Sequence, residues 1–181
     1  RLPNLKLVSQ TGKVSGHIDV DAATELGIAI AEGVGSPVAP AELTWALILA
    51  ASKRLEAKFA VMRAGGWRDD RPLPSVLAGD RIGLIGLGEI GGRVARVAGA
   101  FGMQVIGFDP FVTTEQAAAL GVTLASDLNI ALAQADFVTV HLPGGQRPII
   151  GAAELACMKA SAIIVNAARG GIVDEHALDT A

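Results

Sequence analysis

Three groups of residues in this 181-residue chain have types and spacings suited to chemistry. The first is Gly86-x-Gly88-x-x-Gly91, placed directly between an apolar run at 82–85 and a helix-like stretch. A glycine for the tight turn, a second that lets backbone N–H groups approach an anion and a third that lets helix pack on strand form a pyrophosphate cradle. Glycines alone are a weak signal, because ordinary strand-to-helix turns also use them. The second group is Asp109, which ends the next apolar run 18 residues beyond Gly91. A carboxylate there can accept both hydroxyls of an adenosine ribose, and the two features together point to a dinucleotide. The plainer use of Asp109 is as a strand-end turn residue. Asp109 would repel a ribose 2′-phosphate and no Arg or Lys follows within 110–114, so the pattern favours NAD over NADP. Glu89, inside the cradle, is expected to turn its carboxylate to solvent while its backbone N–H and that of Ile90 meet the phosphates.

The third group is Arg169, in the loop Ala167-Ala168-Arg169-Gly170-Gly171 that follows the apolar run 162–165. Ligands of open α/β sheets bind at the carboxyl ends of the strands. A guanidinium in that place can clasp a carboxylate bidentately and polarise an adjacent carbonyl. From spacing alone, a surface ion pair of Arg169 with Asp174 or Glu175 explains the residue equally well. Asp174 itself reads as a helix N-cap.

The elements that must position these groups follow from the apolar pattern. Strand-like runs at 82–85, 104–108, 135–140 and 162–165 alternate with helical stretches at 94–101 and 115–120, as in βαβ units with a parallel sheet. The runs are continuous rather than alternating, as in strands covered on both faces. Upstream, 5–9 and 27–31 read as two further strands and 11–16 as a turn. Ser36-Pro37 opens one long helix that Gly65-Gly66 ends, and 67–78 is a proline-bearing arm. Trp45 and Leu49 share a face of that helix and suit either a dimer seam or core packing. The expected fold is α/β: a Rossmann-type doubly wound parallel sheet with the remnant of a second α/β domain.

Composition excludes several functions. With 15 basic against 18 acidic residues and 4% aromatics, the chain lacks the basic face and stacking platform of a nucleic-acid binder. No apolar run approaches the roughly 18 residues that span a bilayer, so no membrane partner is expected. A single cysteine, Cys157, builds neither an internal disulfide nor a multi-cysteine zinc site. No metal is expected, and a cytoplasmic setting is.

Gly86-Leu87-Gly88-Glu89-Ile90-Gly91, Phe108-Asp109-Pro110, Val140-His141-Leu142-Pro143 and Asn166-Ala167-Ala168-Arg169-Gly170-Gly171-Ile172-Val173-Asp174-Glu175 together resemble the D-isomer-specific 2-hydroxyacid dehydrogenases of the phosphoglycerate dehydrogenase-like group. The resemblance covers essentially the whole chain, and Leu5 to Asp19 looks like that family's last substrate-domain strand and its loop. It implies an NAD-dependent hydride transfer to or from C2 of a small 2-hydroxy or 2-keto acid. It implies residues 1–36 as the end of a substrate domain, 37–78 as an interdomain helix and dimerisation arm, and 79–181 as the nucleotide domain. By position, Arg169 binds substrate and polarises its carbonyl, and the backbone of Thr11, Gly12 and Lys13 holds the substrate carboxylate. Gly86, Gly88, Glu89, Ile90, Gly91, Asp109, Leu142, Pro143 and Ala167 line the cofactor, and the enzyme is a homodimer.

There are departures. The family's acid/base histidine and its carboxylate lie downstream of the arginine motif, past Ala181, and none of His17, His141 and His176 replaces it. The stretch 144–150 is shorter than the family loop and lacks its threonines. A polypeptide of these 181 residues alone is therefore expected to have negligible turnover, and a non-catalytic NAD(H)-binding module is the alternative. An S-adenosylmethionine methyltransferase shares the glycine loop and acidic residue but not the Asn166 to Gly171 loop.

Overall fold

The computed structural model describes residues 2–14, 17–67, 73–144 and 147–181. The chain forms two compact units, divided between Pro37 and Val38. The first holds strand β1 (Leu7–Gln10), helix α1 (Val20–Glu25) and strand β2 (Ala29–Glu32). β1 and β2 pair in parallel, with Leu7 opposite Ala29 and Gln10 opposite Glu32. The sequence reading missed α1. Its signals are an N-cap, Asp19, whose carboxylate accepts from Ala22 N at 2.9 Å, and a stop at Gly27 with φ 64°. Six residues with no buried position show no helical period.

The second unit opens with α2 (Val38–Ser52) and α3 (Leu55–Arg63), where the sequence suggested one helix. The break has a tertiary cause. The Ser52 carbonyl accepts from Ser75 N at 3.2 Å instead of from the amide four residues on, and the Lys53 ammonium donates to the Ser75 carbonyl. Arg54 then takes a left-handed conformation, φ 53°, which costs a non-glycine residue about 1–2 kcal/mol. The returning segment at 73–78 thus replaces helix hydrogen bonds with its own. Residues 68–72 of the expected arm, and Ser15 and Gly16 of the expected turn, lie outside the described residues.

There follow β3 (Arg81–Ile85), α4 (Glu89–Ala100), β4 (Gln104–Phe108), α5 (Thr114–Ala119), β5 (Thr123–Leu124), α6 (Leu128–Gln134), β6 (Phe137–Val140), α7 (Ala152–Cys157), β7 (Ile163–Asn166) and α8 (Glu175–Asp179). The five strands form one sheet in the order β5-β4-β3-β6-β7, all neighbours parallel. The doubly wound expectation holds. Side chains alternate between faces along each strand. Ile82, Leu84, Val105 and Phe137 pack with Trp45 and Ile48 of α2 and Val94 and Ala98 of α4. Ile85, Ile106, Val138 and Val140 pack on the other face with Ala131 and Leu132 of α6 and Leu155 of α7. Trp45 belongs to this core, 7% exposed, with its ring 4.9 Å from that of Phe101; Leu49 packs partly buried against the same cluster. The chain therefore changes direction of winding between β3 and β6, the place where open α/β sheets bind ligands.

Candidate functional site

The glycine loop leaves the carboxyl end of β3. Gly86 has φ 98° and a Cβ there would lie 2.7 Å from the His141 carbonyl oxygen and 3.0 Å from Leu142 Cδ2. A Cβ on Gly91 would overlap the Gly86 carbonyl oxygen. The fold itself therefore demands both glycines. Gly88 is different: its φ is −67° and a Cβ on it would meet nothing within 4 Å. Neither backbone strain nor packing accounts for it. Gly88 is the N-cap of the twelve-residue α4, and no side chain caps that end. First-turn N–H groups with positive partial charge are thus left without a side-chain cap. Glu89 is exposed there, as expected, and Ile90 half-buried.

Asp109 follows β4. Its Oδ2 accepts from Leu87 N at 2.9 Å and its Oδ1 from Phe111 N at 3.0 Å. The carboxylate thus does the turn work and also braces the glycine loop, a task the sequence did not reveal. An ionised carboxylate has about four acceptor sites, so two remain for a ribose diol. Both uses are compatible.

His141, Leu142 and Pro143 follow β6. His141 is half-buried, its Nε2 3.2 Å from the Oγ1 of fully buried Thr139, and burial pushes its pKa down to about 4. It is neutral at physiological pH and poorly suited to shuttle protons there. Leu142 is half-buried and Pro143 exposed; Ala167, at the end of β7, is half-buried.

Arg169 is exposed on the loop after β7. Its Nη1 donates to the Ala168 carbonyl at 2.8 Å, and among the described residues it forms no ion pair. Asp174 is instead the N-cap of α8, accepting from His176 N and Ala177 N. The surface-pair alternative for Arg169 is thereby corrected. The loop is tied down by Asn166, whose side chain bonds to Ala168 N and to the Arg169 carbonyl. Gly144 lies beside the arginine stem; a Cβ there would be 3.4 Å from Arg169 Cγ. Sequence reading assigned neither Asn166 nor Gly144 a task. The one available signal for Asn166 was an amide placed at a strand end just before a loop.

The sheet thus brings Gly86, Gly88, Glu89, Ile90, Gly91, Asp109, Leu142, Pro143, Ala167 and Arg169 to one edge. Thr11, Gly12 and Lys13 follow β1 in the first unit. There the Gln10 amide donates to the Lys13 carbonyl at 2.6 Å, Glu32 accepts from Val14 N, and Gly33 N donates to the Gly12 carbonyl. Among the described residues no group of His, Cys, Asp and Glu could hold a metal ion.

Residues 45–181 match the family model for the NAD-binding domain of the D-isomer-specific 2-hydroxyacid dehydrogenases. The chain is 44% identical over 177 residues to D-3-phosphoglycerate dehydrogenase of Methanocaldococcus jannaschii, covering 96% of this chain and 34% of that protein. It is 42% identical over 179 residues to that of Mycobacterium bovis, covering 97% and 34%. A phosphoglycerate oxidoreductase from Vibrio cholerae superposes with a TM-score of 0.90 at 41% identity, over 99% of this chain and 58% of that one. A D-lactate dehydrogenase from Aquifex aeolicus, solved with NAD and lactic acid, gives 0.85 at 33% identity, over 97% and 54%. The chain spans about a third of the length of these curated relatives.

Proposed function

From the premise that this chain belongs to the D-isomer-specific 2-hydroxyacid dehydrogenase family and that residues 45–181 form its NAD-binding domain, we propose that it oxidises a small D-2-hydroxy acid to the 2-keto acid, or runs the reverse. The observation that carries the cofactor half of this reading is Gly88. A glycine that neither its φ nor any protein contact requires leaves the room that a diphosphate needs against the α4 N-terminus. When bound, NAD supplies a hydride acceptor. Gly88, Glu89 and Ile90 would hold the diphosphate through backbone N–H groups, Asp109 the adenosine ribose, and Leu142, Pro143 and Ala167 the rest of its wall.

Arg169 is the group that binds the substrate. Its guanidinium has no carboxylate partner among the described residues, so a bidentate bond to an incoming 2-hydroxy acid replaces water rather than an existing ion pair. The same charge withdraws electrons from the C2 oxygen and stabilises it as its character changes between alcohol and carbonyl. The backbone of Thr11, Gly12 and Lys13 is assigned to the substrate carboxylate. His141 is not assigned the C2 hydroxyl proton, because burial keeps it from accepting one near neutral pH; the resemblance puts that group downstream of Ala181. α2 exposes Leu43 and Leu47, which supports pairing with a second copy, and a cytoplasmic setting completes the reading.

The test is oxidation of D-3-phosphoglycerate and D-lactate with NAD by the native protein and its Arg169→Ala variant. We expect turnover of at least one acid, a loss of about 10²–10³-fold in kcat/KM for the variant, and unchanged NADH binding. NADH binding without turnover of either acid would support a binding module instead.

A further inference from the structure

We propose that Asn166 is the positioning residue for Arg169: its carboxamide sets the path of the loop that carries the guanidinium. The inference rests on the reading of Arg169 as the substrate-binding group. Sheet pairing ends at Asn166, opposite Val140, so residues 167–169 have no ladder to fix them. In its place stands one side chain used at both ends. Asn166 Oδ1 accepts from Ala168 N at 3.1 Å, and Nδ2 donates to the Arg169 carbonyl at 2.8 Å.

The partners dictate the residue type. Ala168 offers a donor and the Arg169 carbonyl an acceptor, so the side chain must present one of each in a single plane. Aspartate would set an acceptor against a carbonyl oxygen. Serine has one polar atom and cannot span both partners, and glutamine displaces the amide by a methylene. Among the described residues nothing else polar does this work: Gly144, beside the stem of Arg169, has no side chain to buttress it, and the guanidinium itself bonds to the Ala168 carbonyl of the same loop. A loop bonded only to itself can rotate as a body. Asn166 ties that body to the end of β7, and hence to the sheet edge that carries the cradle. A displacement of about 1 Å at a substrate-positioning group costs about 10²-fold in rate, so this tie bears on turnover although Asn166 is not assigned any contact with substrate.

The test uses the native enzyme, NAD and whichever of D-3-phosphoglycerate and D-lactate it oxidises. Asn166→Ala is expected to lower kcat/KM about tenfold, from the loss of two hydrogen bonds, while the NADH dissociation constant stays within about twofold. In an Arg169→Ala background the same substitution is expected to change kcat/KM by less than about twofold, because its effect passes through Arg169. Added guanidinium is expected to restore activity to Arg169→Ala equally with Asn or Ala at 166. If Asn166→Ala fails to fold, Asn166→Ser serves in the same cycle, with an expected loss between wild type and about tenfold. An unchanged kcat/KM for Asn166→Ala with Arg169 in place, or an equal loss with and without Arg169, overturns the inference and leaves the Arg169 reading standing. Full activity of Arg169→Ala, or turnover of neither acid, overturns the reading and this inference with it.

Discussion

The two edges of the five-stranded sheet handle their polar groups in opposite ways. At the amino edge Arg81 and Asp136 find their partners within the protein. Arg81 donates from Nη1 to Gln134 Oε1 at 2.7 Å and from Nη2 to Gln104 Oε1 at 2.6 Å. Asp136 accepts from Arg81 N at 2.8 Å and pairs with Lys159 at 2.6 Å. Partial burial would raise the pKa of Asp136, but the bonds from Lys159 and Arg81 outweigh it and lower the value. At the carboxyl edge bonding capacity is left over: α4 has no side-chain cap, Asp109 keeps acceptor sites beyond its bonds to Leu87 N and Phe111 N, and Arg169 has no anionic partner among the described residues. Polar groups satisfied internally hold a fold together, and groups held in place without partners are available to a ligand.

The largest way to sharpen this contrast lies within the glycine loop. Gly91→Ala is expected to destabilise the protein by about 3 kcal/mol or more, because the added methyl overlaps a backbone carbonyl that cannot yield; chemical denaturation measures it. Gly88→Val should cost the fold only about 1 kcal/mol, for the poorer N-cap, and weaken NADH binding about 100-fold by filling the cradle, since each charge-assisted bond lost is worth about 1.5–3 kcal/mol. Equal effects of both changes on stability would break the distinction between a glycine the fold needs and one the ligand needs.

Protonation tests the wall of the same edge. The pKa of His141 lies at about 4 in the folded protein, against 6.5 ordinarily. The unfolded chain therefore binds a proton first as pH falls. Stability from this residue is complete above about pH 6.5 and is lost as pH falls towards 4, by about 3 kcal/mol in all. His141→Asn should flatten that part of the profile, as read by thermal midpoints across the window. The smallest effect belongs to the amino edge: Asp136→Ala should cost about 1–2 kcal/mol by stranding Arg81 N and Lys159, with NADH affinity unchanged by titration. A change in cofactor affinity there would erase the division of labour between the edges.

Much of this was legible in the residues. A strand, three glycines and a helix in sequence are local, so their pattern survives in one dimension. Asp109 was legible for the same reason, because its distance from the loop is set by one βαβ unit. The sheet's two-sided burial followed from continuous apolar runs. Arg169 was half legible: its loop position pointed to a ligand, but spacing did not separate that from a pair with Asp174, and only the helix cap taken by Asp174 did.

The sequence by itself thus determined the cradle, its cofactor class and the family, because those depend on short-range order and on residue types that few other arrangements use. The tertiary structure decided what depends on distant segments. Ser75 broke the long helix at Ser52 by taking its carbonyl. Phe101 and the α4 face drew Trp45 into the core, and Leu87 engaged Asp109 as a brace. Gly144 came to lie beside Arg169, 25 positions away in the chain. Each of these is a contact between segments whose separation along the chain carries no information about their separation in space, and the packing of the sheet and its helices sets that distance.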